Sequence, residues 1–382
     1  MSEADQRRFY ELDAAALDQL VRSMAEEELS VVSGGILDRF EREMASFFGA
    51  RHGVATVNGT ASLHLALFAI DLKPGDEVLM PTYGYYAFAI PVCVMGGVPV
   101  FTDVEEDTLA IDPADARRMI TNRTRAILAH QPWGCPANAT ALRALADEHG
   151  LALMADASHA IGALWNHRPL GELYDFVCAS LGKGKLVSGG ELGLVTANDD
   201  RHRDRMLLYG HVNRVPRDLI TEEYRHLRNS VGIKYLPHAF AMALALQQLA
   251  TYPERSGKLV ANVRRFEEGL GRIDGFLPHP TPSAATRVYW RVTFRIDAHR
   301  FPDPDAVIKA LKDRGSPVEK HRGAPLIHEN NVVTEFWGVE TTRDFPIARA
   351  AHRETFQIPV FAFYEDDAVD RILADFAEVA RD

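Results

Sequence analysis

Seven short apolar runs constrain this chain more than anything else in it. They are Gly53–Val57, Glu77–Met80, Val98–Thr102, Arg125–Ala129, Leu151–Ala155, Phe176–Ser180 and Leu192–Thr196. Several are separated by helix-forming stretches such as Ser62–Ile70 and Ala139–His149. A strand with one wet face alternates apolar and polar residues, whereas a run apolar throughout is covered on both faces. The expectation is an α/β fold: a mainly parallel, seven-stranded sheet flanked by helices.

Two helices precede the series. Residues 12–30 carry Leu17, Leu20, Val21 and Met24 on one face, and a turn at Ser33-Gly34-Gly35 leads into a second. There Phe40, Met44, Phe47 and Phe48 fall at helical spacing before a stop at Gly49. After the series, Pro237–Tyr252 is apolar nearly all round, which predicts a helix in a core or a subunit interface. From about residue 255 the character changes. Val288, Trp290, Val292, Phe294 and Ile296 alternate with Tyr289, Arg291, Thr293 and Arg295, the pattern of a half-exposed antiparallel strand. Helices are expected at Pro304–Arg314 and at the C-terminus, where Val369, Ile372, Leu373 and Phe376 share a face. This divides the chain into a large domain, residues 1–254, and a smaller α+β domain, residues 255–382.

Charge and cysteines narrow the function. Lys and Arg total 42 against 53 Asp and Glu, a net charge of −11, the wrong sign for a nucleic-acid surface. Cys93, Cys135 and Cys178 show neither disulfide nor zinc spacing, as expected of a cytoplasmic protein without a metal site. The first residues lack a signal-peptide pattern, and the longest apolar run, Ala87–Phe101, is too short and broken to span a membrane. No Gly-x-Gly-x-x-Gly follows a strand and no P-loop is present, which argues against a nicotinamide enzyme or a nucleotidase.

Ligands of open α/β sheets bind at the C-terminal ends of the strands, and several reactive residues fall there. Asn58-Gly59-Thr60-Ala61 opens a helix whose N–H groups can hold a phosphate; the same turn serves equally as an ordinary junction capped by Thr60. Asp156 ends an apolar strand, where a carboxylate needs a cation such as a pyridinium nitrogen, or else caps the next helix. Tyr83, Tyr85, Tyr86 and Phe88 offer a stacking ring or an aromatic core. His159 is one turn past Asp156, and Ser180 ends the next strand with a hydroxyl. Lys183 and Lys185 lie in a glycine-rich stretch between two strands, and a buried lysine loses charge and becomes nucleophilic. An amine, an acid, a stacking ring and a phosphate cradle together are the requirements of pyridoxal 5'-phosphate (PLP).

With these residues in view, the chain resembles the DegT/DnrJ/EryC1/StrS sugar and cyclitol aminotransferases of the fold-type I PLP enzymes. The resemblance runs from Ser33-Gly34-Gly35 to the C-terminal helix. The family's serine, lysine five residues on and Gly-Glu-x-Gly read here as Ser180, Lys185 and Gly190-Glu191-Leu192-Gly193. Its Asp-Ala-Ala-Gln-Ala run reads Asp156-Ala157-Ser158-His159-Ala160, its phosphate turn Gly59-Thr60-Ala61, and its stacking aromatic falls on Tyr85. The loop His130–Pro136 is one residue longer before its glycine than the family pattern. The resemblance implies Lys185 as the Schiff-base lysine, Asp156 on the ring nitrogen and His159 on the ring oxygen. It implies a homodimer in which Lys234, in place of the family's Asn, can meet the cofactor phosphate or a substrate carboxylate across the interface, while Leu236 replaces an Arg. Arg322 and His328 are the expected substrate-pocket residues. The implied reaction passes an amino group from glutamate or glutamine, through pyridoxamine phosphate, to a keto sugar, cyclitol ketone or related keto compound. A lyase on the same fold, by elimination or aromatising dehydration, is the alternative, and a non-enzymatic scaffold runs against the joint presence of Lys185, Asp156 and Ser180.

Overall fold

The computed structural model describes residues 14–26, 34–215, 217–320, 325–363 and 365–381. Its centre is a seven-stranded sheet: β1 (His52–Thr56), β2 (Glu77–Pro81), β3 (Val98–Thr102), β4 (Thr124–His130), β5 (Ala152–Asp156), β6 (Phe176–Ser180) and β7 (Gly193–Ala197). The order across the sheet is β1-β7-β6-β5-β4-β2-β3. Neighbours from β3 through to β6 pair in parallel, and β7 runs antiparallel to both β1 and β6.

The unbroken apolar character of these strands has a direct cause. Successive side chains point to opposite faces, and here each face meets its own core. On β4, Ile127 and Ala129 join one hydrophobic cluster while Ala126 and Leu128 join the other; on β5, Leu153 and Ala155 separate from Met154 in the same way. Burying each of the leucine, isoleucine and methionine side chains contributes roughly 1.5–3 kcal/mol.

The helix Gly35–Phe48 buries Phe40, Met44 and Phe48 and ends at Gly49 with φ of 72°, as its spacing requires. The helix Ala14–Glu26 buries Leu20 and Met24, but Val21 is 50% exposed and does not share that face. Its neighbour Leu17 and the turn residue Ser33 lie outside the described side chains.

The apolar stretch from Pro237 belongs to one helix, Ala239–Leu270, with Pro253 inside it. It buries Met242, Ala245 and Leu246 and leaves Phe240 exposed, so it is not buried all round. The compositional change at residue 255 falls within this helix, which carries the chain from the large sheet to a second one. That sheet holds β8 (Phe276–Pro278), β9 (Arg291–Ile296), β10 (Glu319–Lys320) and β11 (Thr355–Pro359), in the order β8-β9-β11-β10, all antiparallel.

Strand β9 corrects one expectation. Its polar row is not an open wet face: Thr293 is fully buried, and Arg291 and Arg295 are half-buried. The alternation is real, but the second face looks onto the large sheet rather than solvent. Among the described residues no helix is long and apolar enough to cross a membrane, and no cluster of metal-ligating side chains occurs.

Candidate active site

The C-terminal ends of β1, β2, β4, β5 and β6 open into a cavity of about 470 Å³, closed on its other side by Trp290, Arg291 and Gln357. Each wall can be traced to a local cause.

At the end of β1, Asn58 caps the helix Gly59–Ala69: its side-chain oxygen accepts the Ala61 N–H at 2.9 Å. The cap is therefore Asn58 and not Thr60. The first N–H groups of a helix have no intrahelical acceptor. With that of Ala61 taken by the cap and Ala61 itself buried, Gly59 and Thr60 are the helix-terminal residues that line the cavity. Gly59 packs directly on Ser180, since a Cβ there would lie 2.8 Å from the Ser180 Cβ. That close approach brings the helix N-terminus beside the Ser180 hydroxyl, an arrangement suited to a phosphate.

Asp156, the last residue of β5, is 7% exposed. Its Oδ1 accepts the Ser158 N–H at 3.0 Å. His130 Nδ1 lies 3.6 Å from Oδ2, beyond hydrogen-bond length, so its effect is electrostatic. Burial pushes the carboxyl pKa up, but the His130 ring and the Ser158 group outweigh it and hold Asp156 below the ordinary value. Among the described residues the buried His130 Nδ1 has no hydrogen-bond partner.

Lys185 follows β6 in a loop closed by Lys183 N–H to Gly190 O at 2.7 Å and Lys185 N–H to Gly182 O at 3.1 Å. Lys183 is exposed, whereas Lys185 lines the cavity. The protein packed around the Lys185 amine pushes its pKa down to about 8; Asp156 opposes the shift and Arg291 adds to it. The Lys185 Nζ lies 4.5 Å from the centre of the Trp290 ring.

Trp290 is positioned from a distance. Its Nε1 donates to Gly184 O at 2.9 Å, and its ring stacks on His159 at 3.7 Å between centroids. Trp133, with φ of 55°, stacks on both and donates its Nε1 to the buried Tyr83 hydroxyl at 3.1 Å. The next residue explains the convergence. A Cβ on Gly134 would lie 1.9 Å from Val288 O, so only glycine allows the loop after β4 to touch the segment entering β9.

The structure thus gathers Gly59, Thr60, Tyr85, Asp156, His159, Ser180 and Lys185 around one cavity, with Tyr85 58% exposed at its rim. Ala61 and His328, expected at the site, stand elsewhere. Ala61 is buried behind the lining, and Lys234, expected across a dimer interface, is exposed away from the cavity of its own chain. His328 also lies off the lining: its Nδ1 meets Thr82 Oγ1 at 2.5 Å, and its ring packs on Phe345. Arg322 lies outside the described residues. Arg291 was invisible as a site residue, because alternation in a strand does not distinguish water from a polar cavity; Trp290 read as part of the apolar row, and no sequence pattern singled out Gln357.

The model of the DegT/DnrJ/EryC1/StrS aminotransferase family matches residues 12–377. The chain belongs to this family. It is a PLP-dependent aminotransferase with the fold-type I architecture. The enzyme is 29% identical over 369 residues to GDP-perosamine synthase of Caulobacter vibrioides, across 96% of each chain. It is 29% identical over 307 residues to 3-amino-5-hydroxybenzoate synthase of Amycolatopsis mediterranei, across 80% of this chain and 78% of that one. The crystal structure of DesI in the presence of its TDP-sugar product superposes with a TM-score of 0.83 at 27% identity, over 97% of this chain and 91% of that one. The residues of the aminotransferase fit PLP on their own chemistry. A helix N-terminus and a hydroxyl suit the phosphate, a buried acid held anionic suits the ring nitrogen, and an amine of lowered pKa suits the carbonyl.

Proposed function

We propose that this enzyme transfers an amino group from glutamate or glutamine to a keto sugar or cyclitol ketone in a biosynthetic pathway. The observation that carries the reading is the meeting of Lys185, Asp156 and the Gly59–Thr60–Ser180 cradle in one cavity. The relatives named GDP-perosamine synthase and DesI support a sugar-like substrate.

In this reading Gly59, Thr60 and Ser180 hold the cofactor phosphate, Asp156 pairs with the ring nitrogen, and Tyr85 and His159 border the ring. When bound, PLP supplies an electron-withdrawing ring that stabilises negative charge developing on the substrate carbon. Lys185 is the proton carrier. With a pKa near 8, its amine is partly neutral at cellular pH and can take a proton from one carbon and return it to another. Asp156 stays ionised throughout, because its own neighbours already favour the anion. The indole of Trp290 covers the Lys185 amine and shields the proton step from water.

A homodimer completes the reading. Val231, Ile233 and Phe240 are exposed in the stretch of chain that carries Lys234, and exposed apolar side chains of this kind suit a second copy. The reducing cytoplasm fits the three free, buried thiols.

Spectroscopy tests the reaction. The visible band of the bound cofactor is expected to bleach when glutamine or glutamate is added, and the Lys185→Ala variant is expected to lose the wild-type band. A wild-type band that ignores both donors would remove this donor assignment and favour elimination. A sedimentation mass of one chain would remove the dimer.

A further inference from the structure

We propose that Arg291, with Gln357 beside it, is the subsite for the α-carboxylate of the amino donor. The inference rests on the site reading above and names the residues that select one of its two substrates.

The sheet register sets up this pair. Strands β9 and β11 place Thr293 opposite Gln357 and Arg291 opposite Pro359. Alternate residues share a face, so Arg291, Thr293 and Gln357 stand on one side. Val292, Phe294, Phe356 and Ile358 fill the core on the other. The centre of the polar side is nevertheless buried, with Thr293 fully covered and Gln357 only 6% exposed, while Arg291 is half-buried. A buried polar row of this kind has to be satisfied. Thr293 Oγ1 accepts from Arg287 at 2.8 Å, and Gln357 Nε2 donates to Glu319 at 3.3 Å. Among the described residues Gln357 Oε1 has no hydrogen-bond partner, and Gln357 lines the cavity. That acceptor suits an N–H or O–H brought in by a substrate.

Arg291 supplies the charge. Among the described lining residues, Lys185 and Arg291 are the two with cationic side chains other than histidine. The Arg291 guanidinium lies 4.9 Å from the centre of the Trp290 ring, the same ring that the Lys185 Nζ approaches to 4.5 Å. Stacking uses the face of a guanidinium, whereas carboxylates are bound at its edge by paired N–H groups. An amino-acid donor carries its carboxylate on the very carbon that loses a proton to Lys185. A keto sugar carries no charge at that position. A cation sharing one indole with Lys185 is therefore placed for the donor. The phosphate cradle lies on other elements, the end of β6 and the helix after β1, so the two anions do not compete.

The test compares Arg291→Gln and Arg291→Lys with the wild-type holoenzyme. One readout is equilibrium binding, followed by tryptophan fluorescence, of glutaramate (glutamine without its amino group) and of its uncharged diamide, glutaramide. The other is KM for glutamine and for the ketone in separate half-reactions. Wild type is expected to prefer glutaramate, and Arg291→Gln to lose that preference with about a tenfold to hundredfold rise in KM for glutamine and little change for the ketone. Equal binding of glutaramate by wild type and Arg291→Gln, or a rise confined to the ketone, would overturn the assignment. If Arg291→Gln does not hold its cofactor, Arg291→Lys is judged by the same criteria, since it keeps the charge and loses the paired geometry. If neither donor bleaches the wild-type band, the donor assignment fails by itself, and the binding comparison still decides Arg291.

Discussion

The Lys185 amine, from the loop after β6, and the Trp290 indole, from the residue just before β9, meet at 4.5 Å. The same indole fixes the loop that carries the lysine, through its N–H to the Gly184 carbonyl at 2.9 Å. One side chain thus both holds the loop and faces the reactive amine.

Replacing Trp290 separates these two effects. Trp290→Phe keeps an aromatic face and removes the bond to Gly184. The expected cost is about 1 kcal/mol of local stability, seen as faster amide hydrogen exchange in the segment from Gly182 to Gly190. Unchanged exchange there would show that the loop is held by its own backbone bonds.

The Lys185 pKa of about 8 predicts how the cofactor-free protein takes up PLP. The neutral amine attacks the carbonyl, and its fraction grows as pH rises through the pKa. Uptake, followed by the visible band, should therefore quicken between roughly pH 7 and 9 and then level off. The charges around the amine fix the direction of each variant. Asp156→Asn removes a neighbour that raises the pKa, so the midpoint falls; Arg291→Gln removes one that lowers it, so the midpoint rises.

Gly59→Ala tests the phosphate cradle. Its new Cβ would meet the Ser180 Cβ at 2.8 Å, forcing the helix N-terminus away from the hydroxyl. Overpacking of this kind costs about 1–3 kcal/mol. The expected result is PLP affinity weakened tenfold or more, measured by equilibrium dialysis, with the fold intact by circular dichroism.

Asn58→Ala tests the cap. Loss of the bond to the Ala61 N–H is expected to cost about 0.5–2 kcal/mol in denaturant unfolding. Thr60→Ala should cost less, because Thr60 does not cap this helix.

Much of this was legible in the chain itself. Asp156, Ser180 and Lys185 were recognisable because each closes or follows an apolar run, and such runs report where strands end. The polar row of β9 shows the limit of that logic. Alternation predicted Arg291 and Thr293 on a wet face, yet Thr293 is fully buried and Arg291 lines the cavity. Hydrophobic period records which side chains avoid the core, and a polar cavity between two sheets gives the same record as bulk water.

Sequence alone determined the seven strands, their two-sided burial and the order of the reactive residues along them, because these depend on local composition and spacing. Tertiary structure decided that β7 runs against its neighbours, that Gly134 lets Val288 approach, and that Trp133 and His159 stack with Trp290, whose ring meets the Lys185 amine. Those contacts join segments far apart in the chain. Their geometry follows from how two sheets pack, which no local pattern of residues encodes.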